Sequence, residues 1–410
     1  MGEDGPVNLV ASTVQEIEHL VPYLLECRVK GRGANVIYGV PPSPSAAARL
    51  QSICEYLTKE SAILYQNRAI PQQTDLAPIL FLVDNAAQLQ ELKRLKASGL
   101  WDDIHVFIKI DAGYHRSGVR EDSSSFAKLL EICSNEGAQP NLDTTVSNEF
   151  KLKGLYCHSG HSYGSSAVEE ALGFLEGELA ALRNAAQAAS AKGYRKLILS
   201  VGATPTATSA QNLFSSSSQA AQRVRALIDS LKKDHTVELH AGVYPLLDLQ
   251  QLATHARPST ASGGTPMASL STKNLGLRML VEVASVYDDR EKPEALVGAG
   301  TLALGREPCK SYPGWGIVAS SVSFPNEGMQ VYSENDPSGW IVGRIAQEHG
   351  ILTWQGDVSK KRELKYGEKL LLWPNHACVA GAGFGWYLVV DSSSDDANVV
   401  RDVWVRWRGW

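Results

Sequence analysis

The sequence predicts an α/β domain of barrel type followed by an antiparallel β domain, and three observations carry that prediction. Over the first two thirds of the chain, short apolar runs alternate with longer amphipathic stretches, the order that builds a parallel sheet with helices outside it. The strands are short, apolar runs, as expected when both faces are covered. Beyond about residue 275 the amphipathic stretches stop, and strand-like runs succeed one another across Gly, Pro, Asn and Asp.

The strands of the first part are VNLVAS (7–12), NVIYGV (35–40), ILFLVD (79–84), HVFIKID (105–111), KGLYCH (153–158), KLILSVG (196–202) and VELHAG (237–242). Between them, VQEIEHLVPYLLECRV, NAAQLQELKRLKASG and VEEALGFLEGELAALRNAAQAASAKG repeat apolar residues at helical spacing, the last ending on Gly193, a C-cap residue. A closed (β/α)8 TIM-type barrel needs eight strands. Seven strands, the first at residue 7, predict a barrel of that type whose first βα unit is missing, with an unclosed edge and an exposed apolar seam in its place.

The second part contains LRMLVEVASVYDD, EALVGAGTLALG, GWGIVASSVSF, GWIVGRIAQEHGILTW, EKLLLWPNHACVA, WYLVVD and VVRDVWVRWRGW. The domains are therefore expected over 1–275 and 276–410, with the Ser/Thr-rich stretch His255–Lys273 as the boundary loop. A second polar loop, Asn212–Gln219, is expected to be mobile. The tryptophans of VWVRWRGW read as core and interface aromatics of the β domain.

At 410 residues and 44% hydrophobic, the chain can build two cores. A net charge of −5 with no Lys/Arg block argues against nucleic acid and anionic membrane as partners. No run approaches the ~20 apolar residues of a membrane helix. The start, MGEDGPVNLVAS, lacks the basic-then-apolar order of a secretory signal. Six scattered cysteines (27, 54, 133, 157, 309, 378) fit a reducing compartment, so a cytoplasmic location is expected.

Functional residues of a parallel barrel gather at the C-terminal ends of its strands. There the sequence offers Asp111 to Arg116 after one strand, and His158, His161 and Tyr163 after another, with Tyr156 on that strand itself. Arg116 either pairs with Asp111 or contacts a ligand. His158 and His161, with one cysteine near, read as a polar strand end rather than a metal cluster. The turns VGATPT (201–206) and AGVYP (241–245) combine glycine with small or hydroxylated residues, where backbone N–H groups can cradle a phosphate. In LLWPNHACVAGAGFGWYLVVD (371–391), His376 and Cys378 stand two apart. If that segment is extended, both side chains leave one face, and imidazole with thiolate suits zinc, though two ligands fall short of the usual three or four.

FIKIDAGYHRSGV, LYCHSGHSY, LSVGATPTAT, HAGVYPLLDLQQLA, GRIAQEHGIL, PNHAC and DVWVRWRGW together resemble the eukaryotic-type D-serine dehydratases, a family of alanine-racemase-like (fold type III) pyridoxal-phosphate architecture. The resemblance covers nearly all of residues 7–410. It implies pyridoxal 5′-phosphate and Zn²⁺ as cofactors, with His376 and Cys378 as the metal ligands. It also implies Tyr156 and Tyr163 bordering cofactor and substrate, Thr204, Gly242 and Val243 at the cofactor phosphate, and Tyr244 beside them.

The activity implied is dehydration and deamination of D-serine to pyruvate and ammonia by a homodimer. The alternatives are another D-3-hydroxy amino acid (D-threo-3-hydroxyaspartate or D-threonine) as substrate, or a non-catalytic pyridoxal-phosphate-binding relative. The family's Schiff-base lysine lies in a motif like R-x-H-V-K-T-H-K at the end of its first barrel strand. Nothing in this sequence matches that motif, and Lys30, in CRVKGRG, sits in no such context. The catalytic lysine is left unassigned.

Overall fold

A computed structural model describes residues 5–66, 79–97, 104–134, 150–257, 270–394 and 396–407. The Ser/Thr-rich stretch expected as the domain boundary lies for the most part, 258–269, outside them.

Seven strands form one sheet in sequence order: β1 (Val7–Ala11), β2 (Ala34–Tyr38), β3 (Ile79–Val83), β4 (Ile104–Ile110), β5 (Phe150–Cys157), β6 (Ile198–Val201) and β7 (Thr236–Leu239). Every adjacent pair is parallel. The connections carry helices α1 (Val14–Val29), α2 (Pro44–Gln66), α3 (Ala86–Lys96), α4 (Ser124–Cys133), α5 (Val168–Ala191), α6 (Thr204–Ser209) and α7 (Gln219–Leu231), and α8 (Leu249–Ala253) follows the last strand.

The helix ends are written into the sequence. Thr13 Oγ1 accepts the Glu16 N–H while Glu16 Oε2 accepts the Thr13 N–H, a reciprocal cap at the start of α1. Past α5, Gly193 turns left-handed at φ +91° and Tyr194 N–H reaches back to the Ala189 carbonyl at 3.1 Å, which stops the helix.

Because strand residues alternate, the sheet makes two cores. Val36, Phe81, Val106, Leu155 and Leu199 face the helices. Ile37, Leu80, Leu82, Phe107 and Tyr156 face inward and form a separate cluster. The sheet curls until its two edge strands approach each other, and Asn8 Nδ2 on β1 donates to Glu238 Oε2 on β7 at 3.2 Å. No backbone ladder joins β1 to β7 among the described residues, and Val10 and Leu239 are exposed along that line. The expected unclosed edge is therefore present, spanned by side chains.

The second part is a closed antiparallel barrel of β8 (Met279–Tyr287), β9 (Glu294–Val297), β10 (Gly316–Ser321), β11 (Gly339–Ile345), β12 (Gly350–Gln355) and β13 (Lys369–Pro374), in the order β10-β11-β12-β9-β8-β13. Trp340, Val342, Leu352 and Leu372 are at its core. The run GAGTLALG leaves the sheet after Val297 and forms a single helical turn, α9 (Thr301–Leu304), where a strand was expected.

After β13 come α10 (Ala377–Ala382) and a separate hairpin, β14 (Trp386–Val390) and β15 (Val400–Val405). The tryptophans there are not in the core, contrary to that part of the expectation. Trp386, Trp404 and Trp407 are exposed, because the hairpin packs in neither barrel sheet. The loop expected to be mobile is fastened: the Arg225 guanidinium donates to the Leu213 and Ser216 carbonyls, and Asn212 Nδ2 to that of Ala256.

Candidate active site

The C-terminal mouth of the parallel sheet collects polar side chains from β4 to β7. Tyr156, buried on β5, stacks on the His240 ring with centroids 4.1 Å apart and planes 12° apart. Lys109, buried on β4 beside Tyr156, holds its ammonium 4.9 Å above the same phenol ring. Ser200 on β6 donates to Glu238 Oε1 at 2.9 Å and stands 3.0 Å from His240 Nδ1. His158 Nδ1 donates to the Gly202 carbonyl at 2.8 Å, which leaves Nε2 with its lone pair. Burial, then Arg116 and Lys109, lowers the His158 imidazole to about 4, so it is neutral near pH 7.

Beneath this layer the Glu178 carboxylate from α5 accepts the Ser159 N–H at 2.6 Å. Its burial raises it to about 7 against the opposing Thr206 hydroxyl and the Ser159 N–H. Gly202 has φ +147°, and any β-carbon there would overlap the His240 carbonyl oxygen, so this turn accepts glycine alone.

The two phosphate-type turns meet each other. Thr204, at the start of α6, is buried, and its Oγ1 accepts the Val243 N–H at 3.2 Å. Val243 is buried as well, and its N–H is engaged by Thr204. Gly242 has nothing within 4 Å of the place a β-carbon would take and opens onto free space, and Tyr244 is exposed.

Asp111 does not pair with Arg116. Its carboxylate accepts the Gly113 and His115 N–H groups and meets His115 Nδ1 at 2.8 Å, while the Arg116 guanidinium lies over the Tyr114 ring at 5.4 Å. His158 and His161 part company, since His161 sits between Tyr114 and the edge of Phe174.

The His376/Cys378 segment is not extended. β13 ends at Pro374, His376 occupies the N-cap of α10, and Cys378 lies in its first turn. The shared strand face assumed for the pair does not exist. A different device orients the histidine. Gln250 on α8 donates its amide to the Pro308 carbonyl at 2.8 Å, which turns Oε1 toward His376 Nδ1, also at 2.8 Å. The imidazole therefore carries its proton on Nδ1 and presents the Nε2 lone pair.

Two residues earlier, Asp248 caps α8 through Oδ1 and accepts the Ala377 N–H through Oδ2 at 2.9 Å, and Gln250 N–H reaches the Asn375 carbonyl. Cys378 is exposed; burial of its sulfur and the Asp248 carboxylate raise the thiol, against Arg406. Among the described residues no cluster of three or more His, Cys, Asp or Glu joins the pair.

Tyr163 links the two groups of residues. Its ring is parallel to that of His376, centroids 6.3 Å and planes 5° apart. Burial pushes its phenol up to about 12, opposed by the adjacent Thr204 hydroxyl. Lys109, Gln250, Asp248 and Glu178 escaped the sequence reading. The signal for Lys109 was a cation inside an otherwise apolar run, IHVFIKI, at an inward-facing position.

The family described as "Putative serine dehydratase domain" matches residues 276–390, and "Alanine racemase, N-terminal domain" matches 55–226. A D-serine dehydratase of Schizosaccharomyces pombe is 30% identical over 416 residues, covering 100% of this chain and 81% of that protein. D-threo-3-hydroxyaspartate dehydratase of Delftia sp. is 26% identical over 335 residues, covering 80% of this chain and 72% of that protein. The solved structure of the Delftia protein superposes with a TM-score of 0.62 at 24% identity, over 98% of this chain and 84% of that one. An alanine-racemase-like protein of Idiomarina loihiensis gives 0.66 at 21% identity, over 98% and 83%. These two structures share the fold described above.

Proposed function

This chain belongs to the D-serine dehydratase family, a family of lyases, and on that footing we propose that it dehydrates and deaminates D-serine to pyruvate and ammonia with pyridoxal 5′-phosphate and Zn²⁺. The observation that carries the reading is the position of Tyr163. It stands against Thr204 on one side and His376 on the other, which supports reading the phosphate-type turns and the histidine-cysteine pair as one site.

The residues fit both groups. Gly202 keeps a turn that no side chain could enter, and Gly242 opens onto free space beside Thr204. The buried His240 Nε2 has no partner among the described residues and so can bond a bound molecule. On the metal side, Gln250 leaves the His376 Nε2 lone pair free, and Cys378, an exposed residue whose sulfur is itself partly shielded, carries a thiol that metal binding would deprotonate. When bound, pyridoxal phosphate supplies an electron sink for the substrate's α-carbon, and zinc supplies a Lewis acid for its β-hydroxyl.

The chain's own part is to place those groups. Thr204 and Gly242 would hold the phosphate end, with the Val243 N–H fixing the Thr204 hydroxyl from behind and Tyr244 at the rim. Tyr156, stacked on His240, makes a flat floor suited to an aromatic ring. His376 and Cys378 would hold zinc from two positions and leave others open for substrate. In this division residues 1–275 carry the cofactor and 276–410 the metal, joined through Asp248 and Gln250.

The test is keto-acid and ammonia release from D-serine with both cofactors added, and its loss on chelation and return with zinc. No release from D-serine but release from D-threo-3-hydroxyaspartate would move the chain to the second substrate, which the Delftia relative favours. No release from any D-3-hydroxy amino acid would leave a binding relative. We also propose a homodimer, on one exposed apolar face of the β14/β15 hairpin; Trp386, Leu388, Val403 and Val405 share that face by register and are each half exposed or more, a patch of the kind that marks a protein interface. No described helix is long and apolar enough to cross a membrane.

A further inference from the structure

We propose that Lys310 is a positioning residue that holds Tyr163 in place from the β domain, an inference that rests on the cofactor and metal reading above. Tyr163 lies in the short 3-10 turn Gly160–Gly164 that follows β5. Neither a strand nor an α-helix fixes that backbone, and a turn of five residues with glycine at each end has few constraints of its own. The ring nonetheless has a defined place, parallel to His376 and against the Thr204 hydroxyl. Something outside the turn has to hold it.

Lys310 supplies that hold. Its ammonium donates to the Gly164 carbonyl at 3.2 Å, to the Ser165 carbonyl, and to Ser166 Oγ at 2.8 Å. An ammonium has three N–H donors and no acceptor, so all three are spent on the residues directly after Tyr163. Two further bonds fix those residues from the other side. Ser165 Oγ donates to the Thr254 carbonyl, just past α8, at 3.1 Å, and Ser166 N–H to Glu170 Oε2 on α5 at 2.7 Å. Hydrogen bonds from a charged donor are stronger than neutral ones, and these run from the β domain to the mouth of the parallel sheet.

Lys310 itself belongs to a stiff segment. Residues 307–314 contain Pro308 and Pro313, each with a fixed φ, and Tyr312 of the same segment is buried. Asn375, one residue before His376, donates through Nδ2 to the Glu307 carbonyl at 3.0 Å and to the Gly314 carbonyl at 2.9 Å, which clamps both ends. The Pro308 carbonyl takes the Gln250 amide that orients His376. The contacts therefore close a ring. They run from His376 through Asn375 to residues 307–314, through Lys310 to the turn of Tyr163, and from that ring back to His376. The segment that sets the histidine also sets the tyrosine beside it. Cutting the ring at Lys310 frees the tyrosine and leaves Gln250 and Asn375, the histidine's own supports, in place.

The test incorporates 3-fluorotyrosine in place of Tyr163 in the whole chain and follows its resonance by fluorine NMR. In unlabelled chains, retention of pyridoxine 5′-phosphate, the alcohol that cannot form a double bond to nitrogen, is measured by equilibrium dialysis, and zinc affinity by chelator competition. Lys310→Met keeps the aliphatic stem and loses the donors. It is expected to shift and broaden the fluorine line and to weaken pyridoxine phosphate retention about tenfold, with zinc affinity within about twofold of the parent's. Lys310→Arg, which still donates to carbonyls, is expected to restore both the line and the retention. Loss of both affinities without repair by arginine is the mark of general unfolding and overturns the assignment. An unmoved line in Lys310→Met, or unchanged retention, overturns it too and leaves the cofactor and metal reading standing. A parent that holds neither pyridoxine phosphate nor zinc overturns both. If Lys310→Met does not fold, Ser166→Ala, which removes one of the three acceptors, is expected to move the same line by less, and no movement there overturns the assignment.

Discussion

The Oε1 of Gln250 lies 2.8 Å from His376 Nδ1, and the same amide is fixed in that orientation by its bond to the Pro308 carbonyl. A glutamine on the last helix of the parallel sheet therefore decides which nitrogen of a histidine in the β domain is free. Its removal tests the metal reading without touching a ligand. Gln250→Leu is expected to weaken zinc binding about 10–100-fold by chelator competition, the range seen when outer partners of ligating histidines are lost. Gln250→Glu, which still accepts from Nδ1, is expected to restore it. Equal affinity in all three proteins would show that His376 is not a ligand.

Glu178 makes stability depend on pH. Its carboxyl is held up to about 7, against an ordinary 4.5. Below the ordinary value both folded and unfolded chains are protonated and nothing is lost. Between the two values the unfolded chain releases its proton first, so stability falls as pH rises, and the loss is complete above about 7. The loss is about 3 kcal/mol, from ~2.5 pH units at ~1.4 kcal/mol each. Glu178→Gln keeps an acceptor for the Ser159 N–H and cannot ionise. Its melting temperature is expected to exceed the parent's at pH 8 by several degrees more than at pH 5, and parallel pH profiles would refute the assignment.

Gly202→Ala is expected to cost about 2–4 kcal/mol in denaturant melts, because its β-carbon must displace the His240 carbonyl. The carbonyl that accepts from His158 Nδ1 is that of Gly202 itself, so strain at this residue is expected to lower pyridoxine phosphate retention along with stability. A stable variant with unchanged retention would show that this turn is not part of the site.

Val403→Glu on β15 puts a charge on that apolar face while leaving both barrels untouched. If the hairpin is the dimer contact, light scattering will show the parent at twice the chain mass and the variant at the mass of one chain. A monomeric parent ends the proposal.

Much of the fold is legible in the sequence because its strands are apolar on both faces and spaced by helices with plain caps. VQEIEHLVPYLLECRV coincides with α1, and all seven strand runs overlap the observed ones. The departures come where tertiary context outweighs pattern. PNHACVA continues an apolar strand by composition, yet the Asp248 carboxylate accepts the Ala377 N–H and starts a helix there. That partner lies 129 residues away, beyond the reach of any local signal. Gln250 is hidden for the same reason, and Lys109 because the residues opposite it belong to later strands.

The Tyr163 ring, set between Thr204 and His376, gives the site a thermodynamic property. Any shift of that ring on filling one half alters the surroundings of the other. Linkage then requires reciprocity: whatever factor zinc applies to the affinity for a phosphorylated ligand, that ligand applies to the affinity for zinc. A titration of each in the presence and absence of the other must give one coupling energy, of either sign, and a Tyr163→Phe chain, which loses the hydroxyl and keeps the ring, divides it between the two.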